Sequence, residues 1–412
     1  MEPKVINQLK MGILTVLLGL AAGTVVWLFL KAVSLGTLVL WDLLPGKIGL
    51  PFLPVIICGL GGLAIGKLHQ RFGDYPDELG TVIGKIRREK HYDYHPMGVM
   101  LVCALLPLIF GGSVGPEAGL TGLVAALCYW VGDNVKAARE NAAMYSEIGA
   151  AVTLGSLFYS PLFGIFAVEE ETQSRNLYEV RIPRLTKLLY YGLAAGAGFL
   201  AIYFWNHLTG SSVEGFPAFS EAVIHGADYA MALVYIPAGF AAFLLFRLSE
   251  KGTGLLAEKI PPVWREVICG VVIGLAAILL PMVLFSGEEE IRKFTEGFGG
   301  YAAGFLIIVG LVKILLTAFC IKFGFKGGHF FPLIFACICI GFGAAMLVFP
   351  NPADHMVFAA GVVTGAALGA QIRKPFAVAM LMLLCFPARL LLWMFVAAAV
   401  SGKAAALLMK KD

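Results

Sequence analysis

The stretch Gly111-Gly112-Ser113-Val114-Gly115-Pro116-Glu117-Ala118-Gly119 sets a carboxylate in the middle of an apolar sequence. Met97 to Phe110 before it and Leu120 to Val131 after it carry no charge. An Asp, Lys or Arg at the centre of a membrane helix costs roughly 2.5–3.5 kcal/mol on insertion scales, so an acid kept in such a place marks a candidate functional site. The glycines permit a broken, close-approach backbone, and Pro116 suits the first turn of a helix. The stretch therefore predicts an unwound loop feeding a half-helix, whose N-terminus presents amide donors and about half a positive charge and so favours an anion. A plain Gly-rich turn between two membrane helices, with Glu117 facing water, is the simpler alternative.

The same grammar returns about half a chain later. Gly324-Phe325-Lys326-Gly327-Gly328-His329-Phe330-Phe331-Pro332 again pairs glycines with a proline in what is predicted as a first helical turn, and the uncharged run Leu333 to Phe349 follows. Paired interrupted segments in the two halves of a membrane protein point to a binding site near the membrane midplane. His329, alone, reads either as a hydrogen-bonded interior histidine or as a ligand or proton carrier. No spaced His and acid set accompanies it, which gives a metal site little support.

Composition fixes the class. The 412 residues are 59% hydrophobic and 14% charged, against roughly 25% charged in an ordinary soluble domain, so the chain is predicted to be an all-α polytopic membrane protein. The 49 glycines suggest close helix approach and many short, tilted or interrupted helices. Spans are predicted over Met11 to Leu30, Ile48 to Leu68, Leu185 to Phe204, Ala230 to Phe246, Val267 to Phe285, Tyr301 to Phe323, Leu333 to Phe349, Met356 to Gln371 and Phe376 to Ala399. Asn206 to Asp228 reads as an external loop and Ser249 to Pro262 as a cytoplasmic link. The first span is too long, and too poor in a small-residue cleavage site, for a secretory signal. Lys4 and Lys10 precede it, and Lys403, Lys410 and Lys411 close the chain, which predicts cytoplasmic termini. No soluble regulatory domain is expected after the last span, no nucleic-acid motif is present, and the eight cysteines, lying mostly in apolar runs without a CxxC pair, read as small buried hydrophobes.

Two further stretches interrupt the apolar pattern. Gly73-Asp74-Tyr75-Pro76-Asp77-Glu78-Leu79-Gly80 is either another half-helix start or an ordinary capped loop. Phe166-Ala167-Val168-Glu169-Glu170-Glu171 ends an apolar run in three acids. Such a run is commonly a solvated terminus, although successive helix positions point about 100° apart, so one acid can face inward.

Taken together, Gly115-Pro116-Glu117-Ala118-Gly119 and Gly328-His329-Phe330-Phe331-Pro332 resemble the signatures of the CLC chloride channel and transporter family. That resemblance covers nearly the whole chain and implies an inverted-repeat membrane fold in one transmembrane domain, with approximate halves 1–206 and 230–412. It places Glu117 on the gating glutamate, with Gly115, Pro116, Ala118, Gly328, His329, Phe330 and Phe331 around the anion. Glu170 falls on the residue that hands protons to the cytoplasm. The implied activity is transport of chloride or fluoride, as anion/proton antiport or alternatively as a passive channel, by a homodimer in a bacterial inner membrane. No cofactor and no enzymatic activity are implied.

Three departures accompany the resemblance. The proline precedes the acid instead of following it, an order closer to the fluoride-exporting branch. The family's Gly-Ser-Gly-Ile-Pro segment has Gly73 to Gly80 as its nearest counterpart, without a serine. The tyrosine usual in the last helix has no match near Gly402-Lys403, where three alanines follow. Two rivals of other classes are an intramembrane metal hydrolase using His329 with Glu169 to Glu171, which lacks a second ligand pair, and a scaffold, for which buried acids at glycine breaks serve no purpose.

Overall fold

The computed structural model describes residues 3–77, 81–82, 85, 88–89, 91–134, 148–149, 151–153, 155, 184–210, 216–297 and 300–409. Helices dominate, as a chain in lipid must satisfy its backbone within each segment. In chain order they are α1 (Pro3–Thr37), α2 (Leu44–Ile48), α3 (Leu53–Phe72), α4 (Met97–Ile109), α5 (Glu117–Asn134), α6 (Arg184–Thr209), α7 (Gly226–Ala257), α8 (Trp264–Leu279) and α9 (Glu288–Glu296). There follow α10 (Ala303–Lys322), α11 (Phe330–Val348), α12 (Ala353–Ile372), α13 (Pro375–Met382) and α14 (Leu391–Leu408). Among the described residues, 8 helical segments are long and apolar enough to cross a membrane. The fold is that of an all-α polytopic membrane protein.

Several helices run past the spans that hydropathy predicts. α1 has 35 residues, about 52 Å at 1.5 Å per residue, and exceeds a hydrocarbon core of about 30 Å. The predicted cytoplasmic link Ser249 to Pro262 is helical through Ala257, as the end of α7. Two of its polar side chains, Glu250 and Thr253, find partners on the helix itself or nearby. Glu250 pairs with Arg247 at 3.1 Å and with Lys322 at 3.2 Å, and the Thr253 hydroxyl donates back to the Ser249 carbonyl at 2.6 Å. Conversely, the span predicted over Val267 to Phe285 is helical only to Leu279, because Pro281 removes a donor and disfavours helical backbone at Leu280. The last predicted span divides into α13, which ends at Met382, and α14, with Pro387 in the stretch between them.

The chain forms two compact units, each assembled from separated stretches. One comprises Met1–Leu35, Tyr75–Leu105 and Glu117–Gly215; the other comprises Gly36–Asp74, Leu106–Pro116 and Phe216–Asp412. In the first, α1 and α6 lie backbone to backbone: a Cβ on Gly23 would stand 2.3 Å from the Gly198 carbonyl oxygen. Small residues at such crossings let helices gain dispersion contact where lipid offers no hydrophobic drive. In the second, α11 and α12 are buried along most of their length, and α8 lies against α3 with Gly270 facing the Cys58 carbonyl.

Candidate anion site

The first break leaves α4 through a chain of anchored backbone groups in the second unit. Gly112 N–H donates to the Pro107 carbonyl at 2.8 Å and Val114 N–H to the Gly112 carbonyl at 2.8 Å, so the chain turns twice within three residues. Gly111 takes a φ of +81°, in the left-handed region that a glycine enters without a Cβ penalty. A side chain there would also meet the Trp41 ring at 2.7 Å. Trp41 Nε1 in turn donates to the Ile109 carbonyl at 3.0 Å, and Cys58 Sγ donates to the Phe110 carbonyl at 3.3 Å.

The two glycine breaks meet. Gly115 N–H donates to the Gly328 carbonyl and Gly328 N–H to the Gly115 carbonyl, each at 2.7 Å, an isolated antiparallel pair 213 positions apart in sequence by the difference of the two residue numbers. Gly327 makes this approach possible, since a Cβ there would stand 2.6 Å from the Val114 side chain. Ser113 adds a side-chain tie: its hydroxyl and that of Thr317 on α10 lie 3.0 Å apart, both buried.

Each break feeds a helix N-terminus. α5 opens at Glu117, the residue after Pro116, and the Thr121 hydroxyl donates to the Glu117 carbonyl at 2.6 Å. Glu117 is only 2% exposed and Ala118 is buried with it, so the acid does not face water as the simpler turn reading requires. α11 opens at Phe330, with Pro332 in its first turn, where the missing N–H costs no helical bond. The Leu333 N–H to His329 carbonyl bond, 3.0 Å, starts the helical pattern. Phe331 stacks on Phe216 at 4.9 Å. His329 sits half-buried between the Phe246 and Phe330 rings, with Nε2 3.1 Å from Gln371 Nε2, the surroundings of a hydrogen-bonded interior histidine. Glu170 and the rest of Phe166 to Glu171 lie outside the described residues, as do Glu78, Leu79 and Gly80 of the Gly73 stretch.

The front of that stretch joins the site by charge. The Asp74 carboxylate lies 2.8 Å from Lys326 Nζ and 3.8 Å from Arg265, and the Asp74 carbonyl accepts from Lys326 at 2.9 Å. Buried Glu266 takes Arg265 at 2.7 Å and the Val263 N–H at 2.8 Å, and it fills the space that a side chain on Gly324 would need. Sequence reading singled out both glycine breaks and the Gly73 stretch, but not their joining, nor Ser113, Thr317 and Asp74. Ser113 carried a signal, being a hydroxyl inside the motif; Thr317 carried none.

A many-spanning helical membrane protein with two half-helix starts tied together at their glycines is an ion-pathway architecture, in which irregular backbone is tolerated because protein surrounds it. Residues 61–406 match the voltage gated chloride channel family, and the chain belongs to that family. YfeO of Escherichia fergusonii, a protein named for ion transport, is 23% identical over 361 residues, or 83% of this chain and 80% of that one. YfeO of Escherichia coli O1:K1 / APEC matches with the same identity and coverage. Among solved structures, a slow cyanobacterial Cl−/H+ antiporter is similar with a TM-score of 0.80 at 19% identity, over 98% of this chain and 97% of that one. A CLC-type fluoride/proton antiporter is similar with a TM-score of 0.73 at 20% identity, over 96% and 95%. The protein is thus an integral membrane protein of a family of ion-moving proteins, not of enzymes.

Proposed function

We propose that the chain exchanges halide anions, chloride or fluoride, for protons across a membrane. The observation that carries this reading is the Gly115–Gly328 backbone pair, set immediately ahead of two helix N-termini, one of which begins with a buried glutamate. In this reading the amides of Gly115 and Gly328 are spent on each other and supply close backbone, while Pro116 fixes the start of α5. Ala118, Phe330 and Phe331 supply the first-turn environment that favours an anion, and His329 borders it. Deprotonated Glu117 competes with the anion as a tethered carboxylate and yields when protonated, which couples the two fluxes. Glu170 passes the proton to the cytoplasmic side. The similarity to the two antiporters supports exchange over passive flow, and the proline ahead of the acid supports fluoride as a substrate.

The wider assignment is one transmembrane domain of two inverted halves, 1–206 and 230–412, working as a homodimer in a bacterial inner membrane with both termini cytoplasmic. Reconstitution tests the activity. In liposomes loaded with fluoride or chloride, the wild type is expected to release halide with opposed proton movement, and Glu117→Gln to keep halide flux while proton movement falls to background. Full coupling in Glu117→Gln sinks the role of Glu117, and wild-type halide flux with no proton movement makes the protein a passive channel.

A further inference from the structure

Lys313 lies within α10, in the membrane-spanning run Ala303–Lys322, and its side chain is wholly buried. Its three ammonium protons go to three consecutive carbonyls: Val283 at 3.0 Å, Leu284 at 2.9 Å and Phe285 at 2.6 Å. Among the described residues no carboxylate comes within ion-pair distance of it. Glu290, on α9, is engaged by Lys293 at 2.7 Å. Glu288, in the first turn of α9, has its carboxyl pushed up to about 7, chiefly by burial, with Glu289 adding to the rise. Taking such a cation out of water costs several kcal/mol.

The placement of that charge gives it a use. The segment it clamps, 283–285, touches the first break: Phe285 N–H points to the Gly111 carbonyl at 3.4 Å, Phe285 meets Trp41 edge to face, and Leu284 lies against Gly111. One helical turn along the same face of α10, about 6 Å away, Thr317 holds Ser113. On the other side the ammonium stands 5.6 Å from the ring of Phe335, in the second turn of α11. Within the second unit, Lys313 therefore stands behind the first break and beside the early turns of α11. Resting on the anion-transport reading above, we propose that Lys313 is a positioning residue of the anion path, which fixes the 283–285 segment behind Gly111 and adds positive charge beside the first break and the start of α11. It touches no transported ion itself.

The experiment compares purified wild type with Lys313→Arg, Lys313→Gln and Lys313→Met, measuring fluoride and chloride binding by calorimetry and liposome flux against halide concentration. A unit charge about 10 Å from an anion, at an effective dielectric of about 20, changes its affinity roughly tenfold or more. The neutral Gln and Met variants are expected to bind halide about ten times more weakly, with half-saturation of flux raised to match, while Arg stays within about threefold. Gln, which still donates to carbonyls, separates charge from hydrogen bonding. Unchanged affinity with a lowered maximum rate in Gln, or equal weakening in Arg and Gln, overturns the proposal. So does failure of both neutral variants to fold while Arg folds, which leaves a purely structural cation. A wild type that neither binds nor moves halide refutes the transport reading instead.

Discussion

The two glycine breaks share a sequence grammar and are held in opposite ways. The first, 111–116, is buried at every residue and fixed by neutral groups: the Ser113–Thr317 hydroxyl pair, the Trp41 ring, and carbonyls of its own preceding helix. The second, 324–329, is fixed at its outer end by charge, with Lys326 on Asp74. At their inner ends both depend on one backbone pair, Gly115 with Gly328. The difference follows from solvent. A hydroxyl pair keeps its worth in a dry interior, where an unmade bond costs about 1–3 kcal/mol, whereas an ion pair open to water is worth about 0–1 kcal/mol.

The comparison can be broken most sharply at what the loops share. Gly327→Val puts a side chain where Val114 stands 2.6 Å and the Gly115 carbonyl 2.9 Å from the first added carbon. Overpacking of this kind typically costs about 1–3 kcal/mol or more; the expected outcome is lost halide flux and a lowered Tm in detergent, and a variant with wild-type flux shows the glycine pair to be dispensable.

Next comes the neutral anchor. Ser113→Ala strips Thr317 of the Ser113 hydroxyl, and unfolding in detergent should show a loss of about 1–3 kcal/mol. Ser113→Ala with Thr317→Val should recover much of it, since apolar groups of similar shape leave nothing unsatisfied. A double variant no better than the single one means that the hydroxyl pair is not the anchor.

The smallest effect is expected at the charged anchor. The side chains of Lys326 and Asp74 are 23% and 51% exposed, so Lys326→Met should cost about 0–1 kcal/mol and lose even that at high salt. If it matches Ser113→Ala in detergent at moderate ionic strength, the contrast between the two loops fails.

The amphipathic signals that usually mark helix boundaries are weak in a chain this apolar, and the differences between expectation and structure fall where polarity was read too literally. Ser249 to Pro262 looked like a link because it is polar, yet it is helical through Ala257 and Glu250 pairs with Arg247 and Lys322. Val267 to Phe285 looked continuous because it is apolar, yet Pro281 ends the helix. Lys313 was legible by the same rule that exposed Glu117, a lone charge inside an apolar run, but its three carbonyl partners lie some thirty positions away and carry no mark in sequence.

By itself the sequence determined the class, the two interrupted helices and the buried acid at the head of one of them. Those properties are local: hydropathy follows from composition, and a glycine-proline break or a helix start depends on residues within a turn. Tertiary structure alone decided that Gly115 meets Gly328, that Thr317 meets Ser113, that Asp74 holds Lys326, and that Lys313 clamps three carbonyls behind the first break. Each of these joins groups distant in the chain, and a backbone amide or a hydroxyl carries no mark in sequence of which remote partner its geometry will reach.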